Sequence, residues 1–285
     1  MTKKIFKSDT SETNTRNFLS WFVGFSEGDG SWIVSSCYDK RINKSYLRTF
    51  FIINQADPKV LFFIKKNLGF GTVKKLASGY WRYCVTSKDG TEKLINIFKN
   101  NLKLEKTNER FKIFVKGHNS RVLTKEYFDN ETFLSNSEVS LNDGWLSGFI
   151  DAEGCFSSSL RKNSISLKFS IRQVDTSCVV DNLKNILEGG SISRGKNNLN
   201  SYYWSSTNPI KCLLIDYLEE YNLHSKKIID YERWKKIRNR LIDGSLKKRL
   251  EGRRSRNRLF RLLDVRKTWS KNSRIRLLIR NKKTI

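Results

Sequence analysis

Residues 22–30 read FVGFSEGDG and residues 146–154 read LSGFIDAEG, and the organisation of the whole chain follows from this pair. In both stretches an apolar run contains two small residues four positions apart and ends in an acid followed by glycine. The acids are Asp29 and Glu153, and 124 positions separate them. A single stretch of this kind suits an ordinary helix end, so the informative feature is that it occurs twice.

The sequence that follows each stretch is repeated in the same order. A segment beginning FIINQ resembles one beginning FSIRQ, and their glutamines, Gln55 and Gln173, lie 118 positions apart. A weaker third resemblance places Lys106 and Lys226 at a separation of 120 positions. Three pairs in one order at a nearly constant separation indicate a tandem duplication.

Each copy is predicted to fold as an αββαββα unit. Apolar runs with capping-type residues predict helices at 17–27 and 143–152, closed by Gly30 and Gly154. Strict alternation of apolar and polar residues over 164–172 predicts a half-buried strand. Further helices are predicted at 57–68, 91–102, 175–187 and 209–221, and further strands at 72–76, 80–86, 191–194 and 202–206. The fold class is therefore α+β, a pseudo-twofold tandem repeat with antiparallel sheets.

The expected domains are a first repeat at 1–115, a linker at 116–141, a second repeat at 142–243 and a basic C-terminal extension at 244–285. The extension carries a net charge of +14, more than half of the net +27 of the chain. Its cations suit either a phosphate-binding arm or a helix lying over nucleic acid.

The charge balance indicates a polyanionic partner. The chain has 55 Lys and Arg against 28 Asp and Glu, so nucleic acid is the first expected partner and an anionic membrane surface the second. The mean hydropathy of −0.55 and the lack of a long apolar run exclude a membrane-spanning protein. Five scattered cysteines indicate no disulfide framework, and the N-terminal residues resemble neither a secretory signal nor a transit peptide.

The small residues predict how the acids meet. Side chains four apart share one helix face, and small ones let two helix backbones approach closely. Asp29 and Glu153 would then lie side by side and repel each other unless a hard divalent metal such as Mg²⁺ lies between them. The alternative is a pair of ordinary helix-terminal acids, but acids at a helix C-terminus oppose the helix dipole, and here there are two. The expected helix-interface residues are Gly24 and Gly148, and the carbonyls of Gly28 and Ala152 are candidate further metal ligands.

The two stretches resemble the signature of the LAGLIDADG homing endonucleases and their maturase relatives. The first copy departs from that signature at Ser26 and Glu27, and neither departure touches the acids. The resemblance extends over about 17–239. It implies a monomer in which two αββαββα halves form a saddle of two antiparallel sheets.

The resemblance also implies a reaction. In this family the paired acids hold divalent metals, and one phosphodiester of each DNA strand is cut across the minor groove, leaving short 3′ overhangs. By position, Gln55 and Gln173 match the polar residue that organises water, and Lys106 and Lys226 match the central lysine. Ordinary solvated positions are the alternative for all four. His118 and His224 are isolated, so we expect no catalytic role for them.

Outward positions on the strands are expected to contact double-stranded DNA with a long target site. Arg and Lys suit phosphates or guanine edges, and hydroxyl groups suit either. A plain solvated sheet surface is the alternative. The candidates are Ser31, Ser35, Tyr46, Arg48, Lys74, Arg82, Ser157, Ser159, Arg161, Ser166, Lys168, Ser170 and Arg172.

Three functions are compatible with these features. The first is an intron-encoded, site-specific DNA endonuclease, favoured by the intact acids. The second is a maturase that binds intron RNA and assists splicing, favoured by the basic extension. The third, a transcription regulator without catalysis, is disfavoured by both acids. An intron-encoded protein without a targeting segment is expected to be made inside a mitochondrion or chloroplast.

Overall fold

The computed structural model describes most of both repeats. The described residues are 9–41, 43–120, 128–129, 133, 138–161, 164–174, 179–195, 199–206 and 213–245. The prediction for the basic extension therefore lies almost wholly outside the described residues. Among the helices within these ranges, none has the length and apolar character needed to cross a membrane.

The described helices and strands follow the predicted order twice, and each repeat ends in a further helix. The first repeat consists of α1 (Asp9–Asp29), β1 (Gly30–Asp39), β2 (Lys44–Gln55), α2 (Lys59–Leu68), β3 (Thr72–Lys75), β4 (Trp81–Val85), α3 (Lys88–Phe98) and α4 (Glu105–Asn119). The second consists of α5 (Trp145–Glu153), β5 (Gly154–Arg161), β6 (Ser164–Val174), α6 (Val179–Ile186), β7 (Ser191–Arg194), β8 (Leu199–Ser206), α7 (Leu213–Glu220) and α8 (Lys227–Ile242). The predicted α+β class is confirmed.

The two sheets have the same strand order and the same register. Their orders are β1-β2-β4-β3 and β5-β6-β8-β7, with antiparallel pairing throughout. Gly30 pairs with Ile53 in the first sheet, and Gly154 pairs with Ile171 in the second. The duplication seen in the sequence therefore extends to individual residue pairs.

One hydrophobic core runs through both repeats. The alternation predicted for β6 is confirmed, because Leu167 and Phe169 are fully buried on the face that packs inward. Trp21 of α1 and Trp145 of α5 are also buried and belong to the same cluster as the sheet residues. Docking of the repeats is thus part of the core rather than a separate surface contact.

The glycines that follow the motif helices were expected to close them as C-caps. Instead, α5 runs directly into β5, and Gly154 is extended, with φ −66° and ψ 152°. A Cβ atom at Gly154 would lie 2.8 Å from the carbonyl oxygen of Ile150, and one at Gly30 would lie 2.5 Å from that of Ser26. Glycine is needed here because the chain passes close to the preceding helical turn.

Several other boundaries differ from the prediction. Helix α1 begins at Asp9 rather than at residue 17, and α3 ends at Phe98 rather than at residue 102. Helix α3 begins at Lys88, three residues early, because the Ser87 hydroxyl caps it by accepting a hydrogen bond from the Gly90 N–H at 3.2 Å. Helix α4 continues to Asn119, so the expected linker begins inside a helix. Within the linker, Phe133 is buried in the core, which explains why this segment is not uniformly polar.

Candidate active site

The motif helices α1 and α5 pack with their backbones in contact. A Cβ atom at Gly24 would overlap the carbonyl oxygen of Trp145 and lie 2.9 Å from its carbonyl carbon. A Cβ atom at Gly148 would overlap the carbonyl oxygen of Trp21 and lie 2.7 Å from its carbonyl carbon. The contacts are reciprocal, as a pseudo-twofold axis between the helices requires. Both glycines lie where the sequence placed the helix interface.

Two tryptophans cross this interface and bond to acids of the opposite helix. The Trp21 Nε1–H donates to Asp151 Oδ2 at 3.0 Å, and the Trp145 Nε1–H donates to Glu27 Oε2 at 2.7 Å. These four residues were not predicted to have a role. A signal was present, because both the tryptophans and the acids recur at the separation of 124 positions.

The buried acids also fix the chain segments that lead into α4 and α8. Glu27 accepts hydrogen bonds from the N–H groups of Lys103 and Leu104, and Asp151 accepts one from the N–H of His224 at 2.6 Å. Burial raises the pKa of Glu27 to about 7, although these hydrogen bonds and the charge of Lys103 favour the ionised form. Burial likewise raises the pKa of Asp151. Both acids therefore act as internal acceptors.

Asp29 and Glu153 are the last residues of α1 and α5, at the ends of the packed helices. A Cβ atom at Gly28 would overlap that of Ala152 and lie 3.1 Å from the Cγ of Glu153. The structure thus brings the two helix ends together. The two acids, each followed by a strand of its own sheet, lie between the two halves.

Gln55, at the end of β2, reaches the first of these acids. Its amide Nε2–H donates to Asp29 Oδ2 at 2.6 Å. Gln173 lies at the matching position of β6, two residues beyond the one that pairs with Gly154. Gln55 therefore holds the Asp29 carboxylate in one orientation, and an equivalent role for Gln173 stays a prediction.

A lysine that the sequence analysis did not select lies at the end of α5. The Lys227 Nζ donates to the carbonyl oxygens of Ile150 at 2.9 Å and Ala152 at 3.1 Å. Burial lowers the pKa of Lys227, and the charges of Asp151 and the two site acids oppose that change. The Ala152 carbonyl accepts this hydrogen bond with one of its two lone pairs, and its role as a metal ligand stays a prediction.

The predicted lysines are placed differently. Lys226 forms an ion pair with Asp57, with Nζ 3.5 Å from Oδ2, whereas Lys227 is the lysine that bonds to the end of α5. The role expected for Lys226 stays a prediction, and Lys227 is a second candidate for the site lysine of this repeat. Successive side chains of a helix point about 100° apart, and a shift of one residue redirects the group entirely. Lys106 is exposed near the start of α4, and its proposed role stays a prediction.

The donor atoms suit a hard cation. Asp29 and Glu153 offer carboxylate oxygens, which Mg²⁺ and Ca²⁺ prefer. Within the described ranges, no group of three or more His, Cys, Asp and Glu side chains is arranged to hold a metal. The two carboxylates fit a divalent metal whose remaining ligands are water or phosphate oxygens, with the carbonyl of Gly28 still a candidate.

All six predicted residues of the first sheet share its outer face. Ser31 pairs with Ile52 and Ser35 with Arg48, while Arg82 pairs with Asn54 on one side and with Lys74 on the other. These positions alternate with the buried residues of the core. The set on this face is Ser31, Ser35, Tyr46, Arg48, Lys74 and Arg82.

The predicted residues of the second sheet also lie at alternate strand positions that share one face of the sheet. Ser157 pairs with Lys168 and Ser159 with Ser166, and Arg172 lies four residues beyond Lys168. Arg161 pairs with Ser164, but its side chain lies outside the described part. Ser170 belongs to this face but is only 7% exposed, so its neighbours shield it from a bound molecule. Direct contact by Ser170 stays a prediction, and its burial makes it the least accessible of the described candidates on this face.

Comparison with known proteins adds an independent line of support. The sequence profile of the LAGLIDADG endonuclease family matches residues 22–118 and 146–238. "Probable intron-encoded endonuclease 4" of Neurospora crassa is 35% identical over 238 residues, which cover 79% of the chain and 41% of that protein. An uncharacterised cox1 intron-2 protein of Schizosaccharomyces pombe is 26% identical over 78% of the chain and 66% of its own length. The matched part of the chain thus covers less than two thirds of the length of each of these curated relatives.

Solved structures match over most of the chain. The meganuclease I-SmaMI bound to DNA has a TM-score of 0.66 and 18% identity, covering 86% of this chain and 97% of that one. I-LtrWI bound to its target DNA has a TM-score of 0.65 and 18% identity, covering 88% and 98%. These similarities support the same fold for both halves.

Proposed function

The chain belongs to the LAGLIDADG endonuclease family, and from this membership we propose that it is an intron-encoded, site-specific DNA endonuclease. It acts as a monomer and hydrolyses one phosphodiester on each strand across the minor groove, leaving short 3′ overhangs. The observation that carries the proposal is the meeting of Asp29 and Glu153 at the ends of two packed helices, between two polar sheet faces.

Asp29 and Glu153 would hold Mg²⁺ in this proposal. When bound, the metal supplies positive charge that activates water and stabilises the leaving 3′-oxygen. Gln55 orients the Asp29 carboxylate through its 2.6 Å hydrogen bond. Lys227 contributes a positive charge at the end of α5, where the helix carbonyls and both acids concentrate negative charge.

Double-stranded DNA is the proposed substrate because two outer sheet faces carry cations and hydroxyl groups on either side of the acids. I-SmaMI and I-LtrWI, which share the fold, were solved bound to DNA targets. The names of the curated relatives refer to introns, in one case a cox1 intron, which supports synthesis inside an organelle.

The maturase alternative rests on the basic extension, which lies outside the described residues. The family match and the name of the Neurospora crassa relative favour endonuclease activity. We therefore place DNA cleavage first and RNA binding second.

The direct test is incubation of the full chain with Mg²⁺ and a plasmid library of candidate sites, followed by sequencing of the new ends. The proposal predicts one recurrent cut site with short 3′ overhangs and no cutting after metal chelation. Cutting that persists in chelator, or sequence-independent nicking, would contradict it.

Replacement of Lys227 by Met should slow cleavage by at least about tenfold, because it removes a positive charge beside both site acids, and loss of one group that stabilises transition-state charge typically costs about a hundredfold in rate. Lys226→Met is the matched control, since it alters the neighbouring lysine and should change the rate less than about twofold. Single-turnover cleavage rates, measured beside thermal unfolding midpoints, separate loss of chemistry from loss of folding. Equal effects of both variants would remove the distinction between these lysines.

Removal of residues 244–285 should weaken DNA binding to all sequences to a similar extent and flatten its salt dependence. Its net charge of +14 would mainly meet phosphates, which carry no sequence information. The measurement is the slope of log affinity against log salt concentration for the full and shortened chains. An unchanged slope would mean that the extension does not contact the DNA.

A further inference from the structure

An apolar band crosses the outer face of the first sheet, among the residues proposed to contact DNA. It consists of Ile33 on β1 with Phe50 and Ile52 on β2. Ile33 pairs directly with Phe50, and Ile52 is the next residue of β2 on the same face. Ile33 is 37% exposed, and the other two are half-buried. The band therefore offers apolar surface on a face whose other members are mostly polar.

Polar groups border the band at both ends. The Arg48 guanidinium lies over the Phe50 ring, 5.2 Å from its centre. At the other end, Arg82 Nε–H donates to Asn54 Oδ1 at 2.9 Å. On a face that binds DNA, these cations would meet phosphates and the band between them would meet base edges.

The second sheet has no such band at the equivalent positions. Since Gly30–Ile53 and Gly154–Ile171 are matching pairs, the pair Ile33–Phe50 corresponds to Ser157–Lys168, and Ile52 corresponds to Ser170. The duplicated repeats therefore differ in the chemistry of one patch, apolar in the first and polar in the second. A shared structural need of the fold would have kept the patch alike in both.

We propose that this apolar band reads thymine methyl groups in the half-site bound by the first repeat. The proposal rests on the proposed DNA-binding function and adds a base preference to it. The C5-methyl group of thymine is the apolar group that a base edge presents in the major groove, and apolar side chains contact it. Burying one such group favours binding by about fourfold. The second repeat, with Lys168 and hydroxyl groups there, lacks this preference.

The first arm of the test is selection of bound sequences from random duplex DNA by the full chain with Ca²⁺, the ion present in the structure of I-SmaMI with its uncleaved target. Thymines should be enriched at two or more neighbouring positions in one half of the selected site. Replacing those thymines by deoxyuridine, which lacks only the methyl group, should weaken binding about fourfold for each position. The same replacement in the other half should leave affinity unchanged.

The second arm assigns the preference to the band. The combined variant I33S/F50K/I52S, which installs the residues of the second repeat, should lose the thymine enrichment in that half and keep the selection of the other half. Ile113→Ser is the matched control, because Ile113 is exposed on α4 and should leave the selection intact.

The outcomes separate the two proposals. Selected sites that bind equally with deoxyuridine in every position would overturn the band proposal and leave the endonuclease proposal standing. Failure of the wild-type chain to enrich any sequence would refute site-specific DNA recognition, and the band proposal with it. The deoxyuridine arm uses the unmodified protein, so it decides the matter even if the combined variant does not fold.

Discussion

Asp29→Asn and Glu153→Gln should each abolish double-strand cleavage while leaving DNA affinity within about threefold of the wild type. Both changes keep the size of the side chain and remove the charge that holds a divalent metal. Charge stabilisation by a metal is worth several kcal/mol, and about 4 kcal/mol corresponds to roughly a thousandfold in rate. The sheet faces that would bind DNA are untouched by either change.

Single-turnover cleavage of the selected site and a binding assay without cleavage measure the two properties separately. Asp89→Asn, at an exposed acid in the first turn of α3, is the matched control and should cleave at the wild-type rate. Full cleavage by Asp29→Asn or Glu153→Gln would refute the assignment of the active site. If a variant lost both DNA affinity and cleavage, the acid would be needed for the fold rather than for holding a metal.

Gly24→Leu and Gly148→Leu should cause the largest loss of stability of any substitution in the helix pair. Even a Cβ atom at either position overlaps a carbonyl oxygen of the opposite helix, so the helices must separate before any side chain fits. Overpacking of a core costs about 1–3 kcal/mol, and a clash with rigid backbone belongs at or above the upper end. Separation would also break the hydrogen bonds of Trp21 and Trp145 and move the site acids apart.

Urea unfolding curves and cleavage rates check this expectation. Asn14→Leu is the control, because it places the same side chain on an exposed position of α1 and should change the free energy of unfolding by less than about 0.5 kcal/mol. A Gly24→Leu protein with wild-type stability and cleavage would show that the helices do not pack through these glycines. The proposed site between them would then lack a structural basis.

The sequence was sufficient to predict the repeated architecture and the pair of acids. Because the repeat is duplicated, the acid–glycine motif and the elements after it each occur twice. A motif that would be too weak to interpret in one copy is supported by its second occurrence. The alternation of β6 predicts its buried face because strand side chains alternate with period two, and the register bears this out. The placement of Gly24 and Gly148 at the helix interface was predicted from residue spacing alone, since residues four apart share a helix face.

Other features depend on contacts between residues far apart in the chain. Glu27 and Asp151 are buried hydrogen-bond acceptors. For each acid, backbone donors lie about 75 positions away, in the segments before α4 and α8. The tryptophan donors lie 118 and 130 positions away, on the opposite motif helix. Nothing local to either acid distinguishes it from a solvated residue. Burial of Ser170 likewise results from its neighbours on the sheet, although its face was predicted from the pattern.

The sequence by itself determined that two αββαββα repeats bring Asp29 and Glu153 to one interface, because periodicity and duplication are properties of the chain alone. Only the tertiary structure showed that Lys227 donates a hydrogen bond to the carbonyl of Ala152 at that interface, whereas Lys226 pairs with Asp57. The physical reason is angular, because one residue turns a helical side chain by about 100°. The packing of α8 against β5 fixes which direction points inward, and no local pattern in the sequence encodes that packing.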